Sequence, residues 1–253
     1  MNAIATAIAP SLRCYLLEAR CEFVRLLRTP SFAVPTLLFP SLFYLLFGVL
    51  LGGTRGPQAA TWLLAGYGVF GVMAPGLFGF GVAIALDRER GLLQLKRALP
   101  APPAATLVAR LAMAMLFATV IALQVLVLGL TLGGVAVTLP QALMLVLVDV
   151  LGVLPFCALG LWIGSVVGGQ GAPAVVNLVY LPMAFLSGLW IPLKFLPGFI
   201  AALAPAWPSY HLAQLALKVL GQDAGGSAWG HVAVLAAVTL VFFALARRRL
   251  ARA

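Results

Sequence analysis

Apolar residues run through this chain in long blocks, and the polar residues between them gather in a few short segments. Six blocks are long enough to cross a hydrocarbon layer of about 30 Å as helices rising about 1.5 Å per residue. They lie near residues 32–52, 62–86, 107–133, 141–165, 172–192 and 229–246. The second contains Gly66, Gly68, Gly71, Gly76, Gly79 and Gly81, small residues that let neighbouring helices approach closely. Pro75 and Pro155 sit inside the second and fourth blocks and predict kinks there.

Three segments outside the blocks have patterns of their own. Over residues 10–29, Leu12, Tyr15, Leu16, Ala19, Phe23, Leu26 and Leu27 fall within one helical arc. Glu18, Glu22 and Arg25 lie opposite, with Arg13 and Arg20 on the flanks. This predicts an amphipathic helix lying in the membrane interface, although a helix packed on other protein has the same pattern. Residues 87–100 carry Asp87, Arg88, Glu89, Arg90, Lys96 and Arg97, six of the chain's 22 charged side chains. Within this stretch Leu92, Leu95 and Leu99 share one helical face before Pro100, Pro102 and Pro103 end the helix. Residues 193–228 are too long for a turn and too apolar for a free loop. They predict two short helices, Phe199–Leu203 and His211–Leu220, broken by Pro205 and Pro208, with Trp207 and Tyr210 at the break. A re-entrant hairpin fits this pattern, and so does a pair of helices lying flat on the surface.

Composition fixes the solvent. Of 253 residues 63% are hydrophobic and 9% charged, where a soluble domain carries roughly 25% charged residues. Mean hydropathy is +1.11. The expected fold is therefore all-α and integral to the membrane, one transmembrane domain over residues 1–253 with six spans. The net charge of +10 is concentrated in short connecting segments rather than on one face, so no nucleic-acid partner is expected. With the N-terminus inside, 13 of the 16 Lys and Arg residues fall on the inner side, which predicts a multi-pass protein of the cell inner (plasma) membrane with both termini cytoplasmic. Residues 1–9 lack a positive leader, so the first apolar block is expected to remain as an anchor.

Candidate chemistry is sparse. No glycine precedes any of the three lysines, so a phosphate-binding G-x-x-x-x-G-K-[ST] loop is absent from the sequence. His211 and His231 with Cys14, Cys21 and Cys157 do not have zinc-site spacing. No catalytic or metal-ligating set is predicted, and the chain is not expected to be an enzyme. Within the blocks, Gln124, Asp149 and Asn177 are polar residues that need a reason to be there. Gln124 and Asp149 sit at matched depth on blocks three and four, suggesting either a structural hydrogen bond or a proton or cation site. Asn177 is expected to hydrogen bond between helices.

Taken together and in order, these segments resemble the ABC-2 type membrane subunit, the permease half of an ATP-binding-cassette exporter. The resemblance rests on the helix before block one (Glu22–Pro30) and on Glu89, Arg90, Gly91 and Leu92 leading to Leu99–Pro100. It also rests on Ser187, Gly188 and Pro192 at the end of block five, and on Leu196–Gly198 and Pro205–Tyr210 beyond. It implies that Glu89, Arg90, Gly91, Leu92, Leu95 and Leu99 belong to a coupling helix seated on a separate ABC ATPase, which binds ATP and Mg. This chain itself would hold no cofactor. It implies a homodimer or a heterodimer with a similar permease, contacts with membrane lipids, and an outer gate at Ser187, Gly188, Pro192, Trp207 and Tyr210. Two departures stand out: Leu92 replaces the usual threonine, and the inner loop Val166–Ala172 is uncharged and so is expected to add little to the partner contact. The rival expectation is an ATPase-independent secondary transporter or channel using Asp149.

Overall fold

The computed structural model describes residues 2–51, 56–98, 105–222 and 225–250; for 2–12, 57, 96 and 97 it describes the backbone only. Leu99 lies outside the described residues. Every regular element among them is helical. Five stretches are long and apolar enough to cross a membrane: Pro30–Leu50, Gln58–Glu89, Ala105–Thr131, Leu139–Val166 and Ala228–Leu250.

The chain opens with α1 (Asn2–Leu27), then α2 (Pro30–Phe43), which Tyr44–Leu50 continue in wider π-type turns. Next comes α3 (Pro57–Ala74), continued by the π-type stretch Pro75–Val82 and by α4 (Ala83–Glu89). Pro75 donates no hydrogen bond, and the ladder widens at that residue. Short α5 (Leu92–Ala98) follows, and then α6 (Ala105–Thr131).

The fourth expected span is two helices, α7 (Leu139–Leu151) and α8 (Val153–Val166), separated by Gly152. Pro155, the third residue of α8, has no N–H to give to the Leu151 carbonyl four residues back, so the ladder is interrupted where the two helices part, as its place in the block predicts. Gly152 at the break lies against Leu212, whose side chain a Cβ there would meet at 2.4 Å.

The fifth expected span is α9 (Ala172–Leu186), only 15 residues and so about 22 Å long, short of a full crossing. The Ser187 hydroxyl donates back to the Met183 carbonyl and Gly188 turns the chain at φ +76°, which ends the helix. Beyond it are two single 3-10 turns, Leu193–Phe195 and Ala204–Ala206, around α10 (Gly198–Leu203). Then come α11 (Pro208–Val219) and α12 (Ala228–Leu250). The two short helices expected in 193–228 are thus present, and α11 packs among α3, α7 and α12.

The stretch from α3 to α4 is the most buried of the spans and forms the centre of the bundle. Its π-type segment meets α8 backbone to backbone. A Cβ on Gly81 would lie 2.7 Å from the Gly160 carbonyl oxygen, and one on Gly160 would lie 2.6 Å from that of Gly76. Only glycines admit this approach, which brings the start of α4 alongside the end of α8.

Candidate functional site

The spans end in charge at one pole of the bundle. Asp87, in the last turns of α4, and Arg110, near the start of α6, are 3% and 0% exposed and bond to each other. Glu22 of α1, 4% exposed, joins them, with its carboxylate 3.5 Å from Arg110 Nε and 2.6 Å from Arg25 Nη2. Arg25 also lies 3.6 Å from Asp87 Oδ1. Two arginines and two carboxylates form a neutral quartet that joins α1, α4 and α6. Removing two buried charges from water is repaid only by such close pairing.

Glu22 of the polar face is buried toward Arg110 of α6, while Arg25 of the same face and Leu16, Leu17 and Leu27 are exposed. Leu26, from the apolar arc, packs beside Phe117 and Met113 of α6.

A second set of bonds ties α4 to the loop after α8. Arg88 donates to the backbone carbonyls of Ser165 and, at 2.8 Å, Val167. Glu89 accepts the Gly169 N–H at 2.5 Å. The uncharged loop Val166–Ala172 is therefore held through its backbone by charges from α4. Next, Gly91 turns at φ +71° and α5 departs. Arg90 is exposed, Leu92 is half-buried, and Leu95 is 59% exposed at the surface of the pole.

The membrane-embedded polar residues do not assemble as expected. No hydrogen bond joins Asp149 to Gln124. Asp149 Oδ1 and Gln124 Oε1 are both buried without a partner. Asp149 instead turns toward α3, where Gly68 leaves room for it; a Cβ there would lie 2.9 Å from Oδ2. Asn177 is exposed on α9 beside Leu178, itself 74% exposed, so it bridges no helices within this chain.

At the opposite pole a cavity of about 1530 Å³ opens between the ends of α2 and α3, the turn after α9, and α11. Ser187, Gly188, Pro192 and Tyr210 line it. Trp207 does not line it; its ring is half-buried against the core. The Ser187 and Ser209 hydroxyls bond to each other and tie the end of α9 to the start of α11. Tyr210 packs against His211 of α11 and His231 of α12, whose Nδ1 atoms lie 2.8 Å apart.

Sequence reasoning missed the quartet. The available signal was that Asp87 and Arg110 each border a long apolar block at the same membrane level, with opposite charge. Counting Arg110 toward orientation alone hid that pairing.

Comparison with known proteins gives two likenesses. The sequence profile described as ABC-2 type transporter matches residues 15–220. A Bacillus subtilis (strain 168) protein named as a transport permease, YvfS, is 26% identical over 237 residues, spanning 91% of this chain and 94% of that protein.

Proposed function

The chain belongs to the ABC-2 type transporter family, and from that premise we propose that it is the membrane-spanning subunit of an ATP-driven exporter. It works as a dimer coupled to a separate ABC ATPase that binds ATP and Mg. It lies in the cell inner membrane with six crossings, α9 with its following turns supplying the fifth. Both termini are cytoplasmic. The pole with α1 and α5 faces the cytosol, and the cavity with α10 and α11 faces outside as a re-entrant hairpin.

The observation that carries this reading is the attachment of α5. An exposed leucine stands on a short helix that follows a charge-balanced quartet whose Glu22, Asp87 and Arg110 are buried. A push on Leu95 from the cytosol passes along α4 into Asp87, and from there into α6 through Arg110 and α1 through Glu22. The same helix holds the 165–169 backbone, so α8 moves with it. The four elements shift together, which is what a lever needs to turn the nucleotide-driven closure of a partner into opening of the far pole.

Asn177 supports the dimer. An amide on an apolar helix in lipid is costly without a partner, and polar side chains in spans almost always face protein or a cavity. A second permease at the α9 face would supply one.

Purification of the tagged full chain from native membranes tests the reading. An ABC ATPase is expected to co-purify, and Leu95→Asp should release it. Recovery of the chain alone, with transport that persists without nucleotide, would overturn it in favour of a lone transporter.

A further inference from the structure

The two histidines of the chain meet at the hairpin pole, 8% and 7% exposed. His211 Nε2 lies 2.9 Å from the Pro205 carbonyl, and His231 Nε2 lies 3.5 Å from that of Gly225. Between the rings the Nδ1 atoms are 2.8 Å apart, a hydrogen-bond distance.

These contacts constrain the protons. Pro205 accepts a bond, so His211 carries its proton on Nε2 and presents a lone pair at Nδ1. His231 must then donate from Nδ1. In a neutral pair its Nε2 is a lone pair turned toward the Gly225 oxygen. One added proton makes that atom a donor, and every polar contact of both rings is then matched. A second proton would set two N–H groups and two positive charges against each other at the 2.8 Å separation.

We propose that His211 and His231 form a one-proton latch that holds α11 on α12 and is released when the outside is acidified. Among the described residues no carboxylate bonds to either ring; Tyr210 contacts both. The other titratable groups on the packed elements are Tyr67 on α3, Asp149 on α7, Cys157 on α8, Lys218 on α11 and Arg247, Arg248 and Arg249 on α12. Burial pushes His211 below its ordinary range; the Pro205 bond opposes this, and the charge of His231 adds to it. A lowered value means that the latch is intact at and above the usual histidine range, near 6.5, and is lost as pH falls through the lowered value.

The latch bears on the cavity, because Tyr210, Ala213, Gln214 and Leu217 of α11 form one of its walls. Releasing α11 from α12 would loosen that wall. The outward placement rests on the topology proposed above, whereas the sharing of a proton does not.

With only two histidines in the chain, ¹⁵N-histidine labelling of the full protein in lipid discs reports this pair alone. Protonation of His211 should require a pH below the ordinary histidine range, with nitrogen–nitrogen coupling across the bond until then. As it is protonated, amide exchange in 208–219, corrected for the intrinsic pH effect, should accelerate roughly tenfold. His231→Ala should make that exchange independent of pH. Should this variant fail to fold, the wild-type titration still decides. Two independent titrations near 6.5, or constant protection of α11, would overturn the latch. In oriented vesicles, acidifying the α10 side should reproduce the effect; a response only from the α1 side would overturn the outward placement.

Discussion

Arg110 of α6 is bonded to Asp87 of α4 with both side chains almost wholly removed from solvent, at the pole where α4 ends and α6 begins. The pair is the keystone of the quartet, because each member also reaches a residue of α1.

Breaking it from one side leaves buried charge unpaired. Arg110→Ala and Asp87→Ala should each lower stability by about 3–5 kcal/mol. The double variant should cost clearly less than the sum, because neither charge then remains stranded. Denaturant unfolding of the detergent-solubilised chain measures all three; additive losses would dissolve the coupling.

If an ATPase couples through α5, the exposed apolar surface of that helix carries the contact. Leu95→Asp should insert and fold normally, since Leu95 is 59% exposed in the single chain. Transport-stimulated ATP hydrolysis should disappear, because seating a carboxylate in an apolar groove costs several kcal/mol. Unchanged stimulation would remove α5 from the contact.

The dimer reading places Asn177 near a second copy. In a background without Cys14, Cys21 and Cys157, Asn177→Cys should give a dimer-sized band on oxidation. Leu240→Cys on α12, 69% exposed, should not. Equal cross-linking at both positions would indicate random collision in the membrane.

Asp149 sits against Gly68 with Oδ1 unpartnered among the described residues. Asp149→Asn should insert, fold and transport almost normally. Loss of a proton or sodium dependence in transport assays of this variant would revive the lone-transporter reading.

Topology is open to thiol labelling. A single cysteine at Phe199, 68% exposed in the isolated chain, should resist a membrane-impermeant reagent if lipid or a partner covers α10. One at Gln222, whose amide bonds to the Gln58 carbonyl at 3.0 Å, should react from outside. Labelling at 222 only after permeabilisation would invert the assigned sides.

The long apolar blocks and the two short helices within 193–228 were legible because length and proline punctuation suffice to define them. Pro155 marked the irregularity of the fourth block, but the seating of Gly152 against Leu212, sixty positions away in the sequence, was not legible. The inward turn of Glu22 escaped a helical wheel for the same reason: a wheel ranks faces by polarity and cannot see a buried arginine on another helix. Asp149 and Gln124 matched in depth, but depth says nothing about azimuth, and Asp149 looks toward α3. Ser187, Gly188 and Tyr210 were named together by the family resemblance, and they line one cavity; the meeting of His211 with His231 is tertiary and had no local sign.

The bonds from Arg88 and Glu89 to the loop after α8 also bear on how this sequence can drift. They engage carbonyls and an amide, not side chains. Val166, Val167 and Gln170 can therefore be exchanged for many other residues while the clasp persists. Gly169 is different: a Cβ there would lie 2.6 Å from the Glu89 carboxylate and 3.0 Å from the Leu86 backbone. The loop can thus vary in sequence over an attachment whose one fixed letter is a glycine.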